Sequence, residues 1–137
     1  MKRHGYLYAL VGMTLMLFAG ASLAAGAAEQ EAATAAQHAG YSAKAGSLQG
    51  QHLHLHHVVN CLVGEDGDGF DESAGNPCKG QGDGAINDAE EGSSMQMQLE
   101  QAADLASIGT EVQNSEAAKH VALAVEAILK TVGGSGQ

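Results

Sequence analysis

From Ala28 to Leu62 the chain runs without a proline and carries a seven-residue pattern, with His38, Ala45, His52 and Val59 at one position and Tyr41, Leu48, Leu55 and Leu62 three residues on. A repeat of that period lays one stripe of side chains against a neighbouring helix, so this stretch is expected to be helical. A strand is the rival over residues 52–56, where His and Leu alternate, but the alternation is brief and the longer pattern prevails. Gly40, Gly46 and Gly50 each weaken a helix by about 1 kcal/mol relative to Ala. A kink, or a break into two helices, is therefore expected near Gly46 to Gly50.

Gly64 suits the left-handed residue that follows a helix end. Residues 65–92 are rich in Gly and Asp and hold Pro77, the only proline of the chain, which predicts a long loop. Ser93-Ser94-Met95-Gln96 has the form of a capping box, and Met95, Leu99, Ala102 and Ala106 follow at helical spacing, with Gly109 expected to stop that helix. Thr110 with Gln113, or Asn114, then caps a last helix whose expected apolar stripe is Ala117, Val121, Ala124, Ile128 and Val132. Residues 133–137 form a frayed tail. The fold class is all-α, a three- or four-helix bundle over residues 28–132, its long Gly/Asp-rich loop clasped by one disulfide.

Lys2 and Arg3, the apolar run from Leu7 to Ala19 and the small residues Ala25-Gly26-Ala27 make residues 1–27 an expected signal peptide. A periplasmic or secreted location follows, with no membrane contact after cleavage. The remainder keeps Lys44, Lys79, Lys119 and Lys130 against all 16 carboxylates of the chain, which disfavours nucleic acid and anionic membrane as partners. After the leader only Tyr41 and Phe70 are aromatic, so the core rests on Ala, Leu, Val, Ile and Met.

Two cysteines in an exported chain pair most simply with each other. A Cys61–Cys78 bridge would contribute about 3 kcal/mol through chain entropy; the alternative is thiolate ligation of copper or zinc. Asn60 is placed to bind the returning loop through its amide, a structural role shared with Gly64 and Pro77.

Chemistry concentrates in His52-Leu53-His54-Leu55-His56-His57. Neutral imidazole is a ligand for copper, nickel and zinc, and ligand type alone does not separate the three. His52 and His56, four apart, share one helix face. His120, bordering the last apolar stripe, is the expected third ligand. His38 lies roughly 21 Å from His52 along a straight helix, and joins as a fourth only if the chain folds back near Gly46 to Gly50. His54 and His57 point elsewhere and would hold a second, looser ion or none.

Other chemistries fit less well. The EF-hand spacing over Asp83, Gly84, Ile86 and Glu90 puts Lys79 at the first ligand position and Gln81 at the third. No Cys-x-x-Cys-His occurs, which leaves only a non-covalent haem on His120 with Met95 or Met97. No nucleophile elbow, Walker A or His-Glu-x-x-His motif is present, and an enzyme is not expected. The rival to metal binding is a structural or interaction protein whose histidines pack or sense pH.

The run from His54 to Gly64, HLHHVVNCLVG, with Asn76-Pro77-Cys78, resembles small exported bacterial proteins of unassigned function, and implies a helix-loop-helix clasp. More loosely, the histidine-bearing helical design is similar to small periplasmic metal-binding bundles. Those spread many histidines over all helices, whereas the C-terminal half here offers only His120, which argues against high-capacity storage.

Overall fold

A computed structural model describes residues 19–133. Residues 1–18, most of the expected export signal, and 134–137, most of the expected tail, lie outside the described residues. Every regular element described is helical: α1 (Ala19–Lys44), α2 (Leu48–Val63), a 3-10 turn (Glu72–Ala74), α3 (Ala85–Asp88), α4 (Ser94–Glu111) and α5 (Ser115–Gly133). α1 packs along α2 and α5, α2 along α4, and α4 along α5, so the four longer helices close into a ring, with α3 set against α1, α2 and α4.

The expected seven-residue seam is cut in two. The chain reverses at residues 45–47, where Ser47 caps α2 by accepting the Gly50 N–H at 3.1 Å. The two halves then face each other and no longer run as one stripe: Leu55 and Leu62 are fully buried while Tyr41 is 49% exposed. α1 instead buries Ala28, Ala32, Ala35, Ala36, Ala39 and Ala43, a helical stripe of small side chains. Such a face lets backbones approach closely and leaves the larger area to Leu55, Leu62, Leu99 and Leu129 opposite, each worth about 1.5–3 kcal/mol when buried. Ser42 joins the two helices, its hydroxyl donating to the Gln51 carbonyl at 2.9 Å.

Two further expectations are corrected. Gly109 does not stop α4, which runs on to Glu111. It is buried, and a Cβ there would come within 2.8 Å of Leu55 Cδ1 and of Val121 Cγ1, so it marks a close approach to α2 and α5. The buried stripe of α5 is Ala118, Ala122, Val125, Leu129 and Val132, one position on from most of the expected set. Ala117 and Ala124 are exposed. One residue is about 100° of helix rotation, which leaves Val121 and Ile128 at the edge of the core and puts the two alanines in solvent. Asn114 caps α5, its Oδ1 accepting the Ala117 N–H at 3.0 Å.

The Gly/Asp-rich segment is pinned at several points and interrupted by the 3-10 turn and α3. Cys61 and Cys78 form a disulfide. At Gly64, φ is 75° and a side-chain carbon would collide with the Asp83 carbonyl, so the end of α2 meets the start of α3 where only glycine fits.

Candidate metal centre

The reversal lays α2 back along α1, so that residues equally far from Gly46 in sequence oppose each other. His38 and His54 are such a pair, with their Nδ1 atoms 3.3 Å apart. One turn along α2, His57 Nδ1 stands 3.1 Å from the same His38 nitrogen. One ligand atom from each of the three rings lies within 4.8 Å of the other two, and no other His, Cys, Asp or Glu triad among the described residues does this. Tyr41 packs edge-on to His38, ring centroids 5.4 Å apart, and lies 5.6 Å from His54.

Hydrogen bonding orients the triad. His57 Nε2–H donates to the Ala74 carbonyl at 2.8 Å. With the proton on Nε2, the neutral ring turns a bare Nδ1 toward His38. A metal-ligating histidine characteristically has its outer N–H held by a carbonyl or carboxylate in this way. That bare nitrogen of His57 accepts the 3.1 Å contact, which makes the His38 Nδ1–H its donor. Zinc–nitrogen bonds of about 2.0–2.1 Å in a tetrahedron set ligand nitrogens about 3.3 Å apart. Both close nitrogen pairs match that spacing.

The turn that carries the Ala74 carbonyl is itself held on either side. Asn60 Nδ2 donates to the carbonyls of Asp71 at 2.8 Å and Gly75 at 2.7 Å, and its Oδ1 accepts the Asp71 N–H at 2.8 Å. Asp71 then caps the 3-10 turn, accepting the Ser73 hydroxyl at 2.6 Å and the Ser73 N–H at 2.9 Å. The Ser73 hydroxyl holds the Asp71 carboxyl below its ordinary range. The disulfide at the next residue of α2, Cys61, fastens the far end of the same segment.

Burial lowers the His38 pKa to about 4, helped by His57 and then His54. His54 is lowered by burial and by His57. At neutral pH these imidazoles are uncharged, so binding a cation needs no net loss of a proton, only a shift of the His38 proton from Nδ1 to Nε2.

The expected ligand set divides. His38 enters the cluster because the chain folds back. His52 is engaged elsewhere, its Nε2–H donating to the Val112 carbonyl at the end of α4 at 2.8 Å. His56 Nδ1 lies 3.5 Å from Asp71 Oδ2, on the loop side of α2. His120 is exposed, because the buried face of α5 is rotated from the expected stripe. Met97 is 59% exposed, and Met95 packs against the core. His54 and His57 take the places expected of His52 and His56. The signal for them is their three-residue spacing together with the symmetry of His38 and His54 about Gly46.

No family model, curated protein or solved structure matches the chain.

Proposed function

We propose that this chain is an exported helical protein that binds one transition-metal ion, copper, nickel or zinc, through His38, His54 and His57. The observation that carries the reading is the convergence of three Nδ1 atoms with the outer N–H of His57 fixed by Ala74. Three neutral nitrogen ligands leave a tetrahedral ion one position for water or an incoming donor. A site of that kind suits reversible carriage. Export is supported by the disulfide, which persists in oxidising compartments. No helix among the described residues is long and apolar enough to cross a membrane.

A pH-sensing role near pH 6 is less well supported, since His38 stays neutral down to about pH 4. The test is calorimetric titration of the untagged protein with copper, nickel and zinc salts. One equivalent should bind. Replacing His38, His54 and His57 together by Ala should weaken the favoured metal at least about 100-fold, while His52→Ala/His56→Ala should leave it nearly unchanged. The reverse ranking of the two variants would overturn the assignment.

A further inference from the structure

About two turns before His38 on α1, Glu31 is only 1% exposed. Its Oε1 accepts the Gly84 N–H at 3.0 Å, but its Oε2 is buried without a hydrogen-bond donor. The neighbour on that side is another acid. A side-chain carbon built on Gly82 would collide with Asp88 Oδ2 and come within 3.0 Å of Glu31 Oε2, so the loop passes directly over two carboxyl groups that face the same point. Asp88 Oδ2 already accepts the Asp83 N–H at 3.0 Å.

The charges around this corner do not neutralise it. Glu65, Asp66 and Asp83 line the adjoining cavity of about 360 Å³, together with Lys79, which is exposed and lies 3.9 Å from Glu65. On α5, Lys130 pairs with Glu126 at 2.6 Å, and Glu126 lies beside Gly40, farther along α1. Two ionised carboxylates facing each other, Glu31 buried and Asp88 half-buried, would repel. Among the described residues no third acidic side chain joins them to make a ligand group, and calcium takes about six to eight oxygens.

We propose that Glu31 is held as a neutral carboxylic acid whose Oε2–H donates to Asp88 Oδ2, a shared-proton latch that fastens α1 to the Gly82–Asp88 corner. The proton gives the orphaned oxygen its partner and removes one of the two facing charges. Burial, with Asp88 and Asp83 adding to it against the Gly84 N–H, pushes the Glu31 carboxyl up to about 7. Above that pH the proton leaves to solvent, the two carboxylates repel and the corner loosens. The device is independent of the histidine site.

The test is amide hydrogen exchange at Asp83 and Gly84 at pH 6 and pH 8, corrected for the intrinsic pH dependence of exchange. At pH 8 the ionised form outweighs the acid about tenfold, so protection in the wild type should fall by up to that factor. Glu31→Gln supplies a permanent N–H donor to Asp88 and should hold protection constant. Asp88→Asn removes one of the two facing charges while an amide oxygen in the Oδ2 place still accepts the Asp83 N–H, so the fall in protection at pH 8 should be smaller than in the wild type. His38 titrates alike in all three proteins, so its contribution cancels in the comparison. A Glu31→Gln protein that keeps the wild-type pH dependence would overturn the latch. So would restoration of protection at pH 8 by millimolar calcium chloride, which would make a cation the counter-charge.

Discussion

His38 and Glu31 project from one alanine-faced helix about two turns apart, and burial shifts both toward the uncharged form from opposite directions. The histidine is lowered to about 4 and the carboxyl raised to about 7. The cause is shared, since loss of water disfavours whichever form is charged. The consequences differ. A neutral imidazole offers a lone pair to a cation, whereas a neutral carboxyl offers a proton to another acid. The Ala stripe of α1 provides neither with a partner, so each takes its partners from the elements laid opposite: α2 for His38, the Gly82–Asp88 corner for Glu31.

The largest test of this contrast is removal of what the two centres share. Cys78 lies in sequence between Ala74, which orients His57, and Gly84, which binds Glu31. Cys61→Ala/Cys78→Ala should cost about 3 kcal/mol in urea denaturation, and should weaken both metal affinity and Gly84 protection. Damage to one centre alone would show that the two arms of the loop dock independently.

Asn60→Ala separates them. Three hydrogen bonds to the 3-10 turn are lost, which should cost about 2 kcal/mol. Metal affinity should fall about 10- to 100-fold through the freed Ala74 carbonyl, with Gly84 exchange unchanged. Equal loss at both centres would deny the turn its specific role.

The smallest effect is the pH slope of stability in metal-free protein. Between pH 6.5 and about 4 the unfolded His38 takes up a proton that the folded one refuses, so its contribution falls as pH falls. Between pH 4.5 and about 7 the folded Glu31 keeps a proton that the unfolded one releases, so its contribution falls as pH rises. Melting temperatures from pH 4 to 8 should show His38→Gln flattening the acid limb and Glu31→Gln the neutral limb. Identical profiles would mean that neither group titrates as its burial dictates.

Local chemistry was legible in the sequence where a residue acts on its near neighbours. The capping serine Ser93, the helix-ending Gly64 and the pairing of Cys61 with Cys78 rest on short-range geometry. Misreadings came from facing and direction. The apolar positions of α5 are dense enough to support two stripes, and packing on α1 and α4 chose the one that puts His120 in solvent. The turn at 45–47 reversed α2, and with it the pair of histidines that meets His38. Glu31, one acid among many, gave no sign of being buried until α3 and Gly82 closed over it.

The convergence of His38, His54 and His57 is tested most directly by long-range ¹H–¹⁵N NMR of protein labelled at histidine, before and after one equivalent of zinc. Metal should shift the Nδ1 resonances of those three rings together, leave His57 protonated at Nε2, and leave His52, His56 and His120 unmoved. Coordination shifts at His52 and His56, with the other three rings unchanged, would contradict it.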